Sequence, residues 1–308
     1  MNTTKSLTVE QRTNFLGFPK PGEMIDMVGT HTLEASDRAI VNILYQHAHD
    51  SGKLAEVGAE WEIPLGIVRD AFSRHESSDR LINSLKRLQG VVATVSYVDQ
   101  KGNEPEQRVV ITGLFAFFDV SARQLEKRAT LRYGLPPKLV PIIAQSGYWG
   151  RIKAEIVCAM TSKYAMALYE QVQLRANLNR CVETIEIGRF RDMLGVPPGT
   201  YKLGPDFLRF VIKPALLEVN GLSDMGVDID VVRKHARAPV TAVSMSWWRK
   251  EGDDFRAAMQ ERARPKVGRM ARLKGKVEKV EALPSRLPPP SADDAELAAM
   301  LAKMREHA

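Results

Sequence analysis

Twice along this chain, apolar residues at helical spacing give way to two β-branched segments joined by a short polar turn. A helix buries residues i, i+3, i+4 and i+7, whereas a half-buried strand alternates every second residue. A segment patterned for one therefore cannot bury its apolar face as the other. In the first occurrence, Ile40, Ile43, Leu44 and His47 form the stripe of a helix expected from Ser36 to about Asp50, with Ser36 or Asp37 as its cap. Leu65, Val68, Ala71 and Phe72 line a short helix opened by Pro64. Leu81, Leu85 and Leu88 line a third, which starts at Ser78 and stops at Gly90. Two strands follow, 91–98 and 108–118, joined by Asp99-Gln100-Lys101-Gly102-Asn103.

The second occurrence begins with a long helix or broken helix pair over 151–178, whose stripe is Ala165, Leu168, Tyr169, Val172 and Ala176. A short strand is expected at 182–187 and a helix at 188–194, stopped by Gly195. Pro205 opens another helix to about Asn220, with Phe207, Phe210, Val211 and Leu217 expected on its buried side. Pro214 should kink or end that helix, because proline removes an interior hydrogen bond. Strands 227–232 and 241–248 close the module across Arg233-Lys234-His235-Ala236-Arg237. Helices followed by a hairpin are the order of a winged helix. The expected fold is therefore α+β, two tandem winged-helix domains with a basic, partly disordered C-terminal tail. The expected division is an N-terminal arm with a short strand at 1–33, a first winged helix at 34–148, a second at 149–250 and a tail at 251–308. The tail is expected to end in an amphipathic helix, 292–306.

Composition narrows the function. Lys and Arg number 44 against 37 Asp and Glu, giving a formal charge of +7. A basic excess makes nucleic acid the first partner to consider and an anionic membrane surface the second. Residues 262–279 hold eight Lys or Arg against one Glu, so this stretch alone accounts for the excess. No run of about 18 apolar residues is present, so no spanning helix and no membrane partner are expected. The N-terminus lacks the apolar core of a secretory signal. Two cysteines, Cys158 and Cys181, cannot make a disulfide framework, suit a reducing cytosol and read as small core residues. There is no GxxxxGK[ST], GxSxG, HExxH or CxxC motif, so neither an enzyme nor a cofactor site is expected. His47-Ala48-His49 has the His-hydrophobic-His form of a nicking-enzyme metal site, with Tyr45 as a conceivable nucleophile. On a helix, however, i and i+2 point about 200° apart and do not share one metal.

DNA-binding chemistry has more support. Arg80, Asn83, Lys86 and Arg87 lie on the helix face away from Leu81, Leu85 and Leu88. Arg suits guanine and Asn suits adenine in the major groove, although the same pattern also describes an ordinary solvated face. In the second module, Arg209 and Lys213 stand at i, i+4 opposite Phe207 and Val211. Asp206 adjoins them, Tyr201 and Lys202 precede the helix, and Arg233, Lys234 and Arg237 lie on the hairpin turn. A helix that reads bases beside a basic hairpin that grips phosphates divides specificity from affinity.

Three segments carry a resemblance. SKYAMALYEQVQLRAN (162–177), IEIGRFRDMLGV (185–196) and YKLGPDFLRFVIKPALLEVN (201–220) resemble the Rep_3 family of plasmid replication initiators. The family pattern runs S-K-x-[SA]-x-x-L-Y-E, then h-R-x-x-L-G, then Y-K-x-x-x-D-F-x-x-x-V-h-x-P-A-h-x-E-h-N, with h apolar. The resemblance is dense over 162–220; the first module is similar in architecture only. It implies a bacterial, cytoplasmic, plasmid-associated protein that binds double-stranded DNA at origin direct repeats, the iterons, and helps open adjacent A·T-rich DNA. It implies a homodimer in equilibrium with monomer, the dimer pairing through the first domain and repressing the initiator's own promoter at an operator. It also implies partners: the host initiator, the replicative helicase and chaperones. The family often shows F-K-R-R where this chain has Phe207-Leu208-Arg209-Phe210, so of that basic run only Arg209 remains. The family tolerates a proline at the position of Pro214. Other readings of the same residues are a winged-helix transcriptional regulator and a metal-dependent nicking endonuclease.

Overall fold

A computed structural model of the chain describes residues 17–70, 78–99, 104–122, 128–178, 180–202, 204–235 and 238–275. The first winged helix is built on α2 (Ala35–Asp50), which Glu34 and Asp37 start with a reciprocal capping box. Helices α3 (Leu65–Asp70) and α4 (Ser78–Gly90) follow. The wing is β3 (Val92–Asp99) paired antiparallel with β4 (Glu106–Gly113), in the register Thr94↔Ile111 and Ser96↔Val109. Ile40, Leu44, Val68, Leu81, Leu85, Leu88 and Val95 are buried together as the periodicity requires.

The strand expected at 108–118 is interrupted. Leu114 and Phe115 turn into the core, and the chain resumes as β5 (Phe117–Val120) in a different sheet. That sheet has the order β2-β6-β5, with β2 at Glu60–Pro64 and β6 at Thr130–Gly134. β2 escapes sequence reading because Pro64, taken as a helix start, also closes the strand. Trp61 stacks on Tyr133 at 5.6 Å between ring centroids, and Phe115 meets Tyr45 and Tyr133 edge-on.

The N-terminal stretch corrects an expectation. Residues 18–33, read as part of an arm, bury Phe18, Met24, Ile25, Met27 and Leu33. They form β1 (Phe18–Pro21) and a single turn, α1 (Gly22–Ile25). β1 pairs antiparallel with β7 (Trp149–Ile152), and Val28 bridges to Thr94 of the first wing. Helix α5 (Leu139–Gln145) leads into β7.

The second winged helix follows in order. Helix α6 (Ala154–Ala159) and helix α7 (Lys163–Arg175) are separate, because the backbone turns extended at Met160 and Ser162. Ser162 caps α7 by accepting from the Ala165 amide. Strand β8 (Val182–Glu186) and helix α8 (Ile187–Leu194) come next, and Gly195 ends α8 in the left-handed conformation at φ 67°. Helix α9 (Gly204–Phe207), a π-turn at Leu208–Ile212 and α10 (Lys213–Leu222) form one continuous rod. The wing is β9 (Met225–Val232) with β10 (Ala242–Arg249), and β8 joins on the far side of β10. Two tandem winged helices are thus present.

Residues through Arg269 make one compact unit and those from Met270 a second. Helix α11 (Gly252–Ala263) packs on α10, and buried Arg269 donates to the carbonyls of Ala159, Arg262 and Arg264 at 2.8–3.1 Å. Residues 251–269, expected in a tail outside the cores, therefore belong to the first unit. A short helix, α12 (Arg269–Leu273), begins at the boundary. The helix expected at 292–306 lies outside the described residues.

The two winged helices meet over a buried polar cluster. Glu170 of α7 accepts from Lys20 of β1 at 2.8 Å and from Asn42 of α2 at 2.7 Å, and all three are almost wholly buried. Burial pulls the Lys20 ammonium below the ordinary lysine pKa, against the pull of Glu170. Beside them Arg38 of α2 donates to Thr30 at 3.1 Å, and its Nη2 fills the space where a Cβ on Gly195 would sit, 2.5 Å away. Deleting one partner of a buried ion pair strands the other, a loss of about 3–5 kcal/mol. We expect Glu170→Ala to lower stability by that amount in urea unfolding. A change under about 1 kcal/mol contradicts the central place of this carboxylate.

Candidate nucleic-acid interface

The residues that carry the sequence motif of the second module are largely scaffold. Glu218 is buried and accepts from the Thr161 and Ser162 amides at 2.9 and 3.0 Å and from the Thr161 hydroxyl. It thereby ties α10 to the start of α7. Asn220 exchanges two 2.9 Å bonds with the backbone of Val227, pinning α10 to the wing strand β9. Arg191 of α8 donates to the carbonyls of Thr200 and Tyr201, and its guanidinium lies 4.8 Å above the Phe207 ring. The turn before the candidate recognition helix is therefore held from below.

That turn is strained. Tyr201 has φ 47°, the only described non-glycine residue with positive φ. A left-handed backbone costs an L-residue roughly 1–2 kcal/mol, so Arg191's grip on both carbonyls offsets a real penalty. The Tyr201 ring stacks on Phe210 at 6.0 Å with 29° between planes. A cleft of about 380 Å³ opens beside it, lined by Arg191, Thr200, Tyr201, Lys202, Phe207 and Val240.

A π-turn lies within this helix. The Lys213 amide bonds the carbonyl of Leu208, five residues back. Proline has no N–H, and its ring clashes with the carbonyl four residues earlier in a regular helix. The wider turn before Pro214 lets the helix continue through it instead of breaking. The buried set runs Phe207, Val211, Ile212, Ala215, Val219 and Leu222. Phe210, expected on the buried side, is instead 48% exposed. Arg209 and Lys213 are exposed, and the Arg209 guanidinium sits 5.1 Å over the Phe210 ring.

Lys202 is exposed at the entrance to this helix and Asp206 is half-buried in its first turn. From the wing, Arg233 reaches the same entrance: a Cβ on Gly204 would lie 3.5 Å from its Nη2. Lys234 is exposed on the wing turn, and Arg237 lies outside the described residues. The structure thus brings Tyr201, Lys202, Asp206, Arg209, Lys213 and Arg233 to one end of the second module.

In the first module, Arg80, Asn83 and Lys86 are exposed along α4. Arg87 differs. Its Nε and Nη2 donate to both oxygens of the wholly buried Asp37 at 2.8 and 2.9 Å, and Glu34 lies 3.2 Å away. This bidentate pair raises its pKa, chiefly through the hydrogen bond to Asp37, and fixes α4 on α2. Sequence spacing could not show this, because the partner lies fifty positions away.

His47 and His49 stand on a helix and face different partners. His47 Nδ1 lies 2.9 Å from the Tyr133 hydroxyl, whose proton is committed to the Leu44 carbonyl, so that Nδ1 carries a proton. His49 meets Asp50. Among the described residues no group of three His, Cys, Asp or Glu is arranged to hold a metal. Cys158 is half-buried, whereas Cys181, expected in a core, is exposed. No helix among the described residues is long and apolar enough to cross a membrane.

A braced helix, a wing and a tandem copy of the same architecture define a protein of two winged helices. Residues 186–247 match the family described as "Initiator Rep protein, WH2", which bears out the resemblance drawn from the sequence motifs. No curated protein matches the chain in sequence. Among solved structures, the chain is similar to a crystal structure of Pi initiator protein in complex with iteron DNA. The TM-score is 0.51 at 14% identity, covering 73% of this chain and 98% of that one. A structure of domains 2 and 3 of RctB aligns with TM-score 0.42 at 11% identity, over 69% of this chain and 81% of that one. The Pi likeness shows a shared fold.

Arg191→Ala removes two hydrogen bonds and a cation–π contact that hold the strained turn. We expect it to lower unfolding stability by about 1–3 kcal/mol in a denaturant titration. A loss below about 0.5 kcal/mol contradicts the bracing role.

Proposed function

We propose that this chain is a non-enzymatic replication initiator that binds direct repeats in its origin DNA. The observation that carries the reading is the second winged helix, matched to initiator Rep proteins, with Arg209, Lys213, Lys202 and Arg233 gathered at one end of it. In this reading 149–250 supplies specificity. Arg209 reads a base, Asp206 and Tyr201 shape the entrance, and Lys202, Lys213, Arg233, Lys234 and Arg237 hold phosphates. The first winged helix, 34–148, supplies backbone contacts from Arg80, Asn83 and Lys86, with Arg87 acting through its grip on Asp37. Protein–DNA contacts deform the adjacent A·T-rich duplex and supply the free energy of opening. The Pi initiator was solved with iteron DNA, which supports the same class of target here.

Footprinting on the repeats beside the gene tests this. Protection across each repeat is expected; no protection at low salt overturns the proposal. Arg209→Ala should weaken repeat binding by about 1–3 kcal/mol while leaving random-sequence binding nearly unchanged. An unchanged repeat-to-random ratio contradicts the role given to Arg209.

The proposal includes a dimer that represses the chain's own promoter, a monomer that initiates, and contacts with the host initiator, helicase and chaperones. Support for the dimer lies in the first wing. The register of β3 with β4 places Val92, Val98, Val109 and Ile111 on one face, and all four are exposed. An apolar, open-edged sheet face of this kind pairs readily with a second copy. Ile111→Glu should weaken self-association by about tenfold or more in sedimentation, because burying that carboxylate is costly. Identical sedimentation of variant and wild type removes this surface from the interface.

A further inference from the structure

We propose that Phe210 reads a base, packing its ring on the C5-methyl group of a thymine in the recognised repeat. The inference rests on the DNA-binding reading above and names a specificity contact within that site. Phe210 lies next to Arg209 and one turn before Lys213, and all three side chains are exposed. The rod buries Phe207, Val211 and Ala215 on its other side and leaves Phe210 exposed.

The ring is held as well as displayed. Tyr201 stacks on it at 6.0 Å, and Tyr201 is itself fixed at φ 47° by the bonds from Arg191 to the Thr200 and Tyr201 carbonyls. A strained backbone that serves to hold an exposed aromatic ring in place marks a functional surface. A phenyl ring neither donates nor accepts a hydrogen bond, so it cannot pair with a phosphate or a polar base edge. The one apolar feature of the major groove is the thymine methyl. A rod of this width enters the major groove rather than the minor, which removes wedge insertion between base steps as the alternative. The Arg209 guanidinium, 5.1 Å over the ring, fits the same placement by bringing a guanine-type donor beside an apolar reader.

The test uses the full chain and a duplex that wild type enriches from a random-sequence pool. Each thymine is replaced in turn by deoxyuridine, which differs only in lacking the methyl. One replacement should weaken wild-type binding by about fourfold, the value of one buried methyl group. Phe210→Ala should bind the thymine duplex more weakly and lose sensitivity at that position alone. Phe210→Leu should retain part of it. Both variants alter a side chain outside the core, and matching unfolding curves confirm that the fold is kept. Deoxyuridine without effect at every position overturns the proposal while leaving repeat binding intact. So does sensitivity that persists in Phe210→Ala. Equal binding of wild type and Phe210→Ala to all duplexes overturns it likewise. Failure to enrich any sequence defeats the DNA-binding reading itself, and the thymine contact with it.

Discussion

One buried carboxylate holds the two halves of this protein together. Glu170 sits on the central helix of the second winged helix and takes both its partners from elsewhere: Lys20 from the N-terminal strand and Asn42 from the first helix of the first module. A charge in an apolar interior is tolerated only when its hydrogen-bonding capacity is met. Its partners can meet it only if β1 is paired with β7 and α2 lies against α7. The cluster therefore demands one arrangement of the modules, which apolar packing alone would leave looser. Arg38, wedged against Gly195, adds a second point of registration a short distance away.

The same logic accounts for the motif from which the family resemblance was read. Ser162 caps α7, Glu218 binds the amides at its start, Asn220 clamps the wing, and Arg191 braces the turn before the candidate recognition helix. These are polar groups with geometric duties, at buried or half-buried positions except for the exposed Asn220. The departures from the family's basic run fall at half-buried Leu208 and exposed Phe210, on either side of Arg209. Scaffold and exposed surface are thus interleaved within a few helical turns.

Much of the fold was legible because its period changes are sharp. The α2 and α4 helices, both wings and the stop at Gly195 follow from spacing, caps and turn residues. What was missed depended on distant partners. Phe18 to Leu33 shows no period, and its burial is decided by distant elements, among them β7, α7 and the first wing. Arg87 looks like any outward arginine until Asp37 is set beside it. Phe210 fits a helical stripe with Phe207 and Val211, but the buried side continues through Ala215 and Val219 and leaves it exposed. At the candidate site, spacing identified the exposed cations Arg209 and Lys213. It did not identify Arg191, whose partners are backbone carbonyls and therefore leave no mark in the sequence.

The contact between Arg38 and Gly195 has a consequence for how such proteins can be recombined. A left-handed glycine at a helix end is normally a local matter, set by the helix it terminates. Here the space above it is occupied by a side chain from the other module, so the residue is constrained from two directions at once. Winged helices exchanged between related chains as cassettes would bring a foreign first helix against that glycine and a foreign strand against Glu170. A workable chimera has to inherit Lys20, Arg38 and Asn42 with the second module, although all three lie in the sequence of the first.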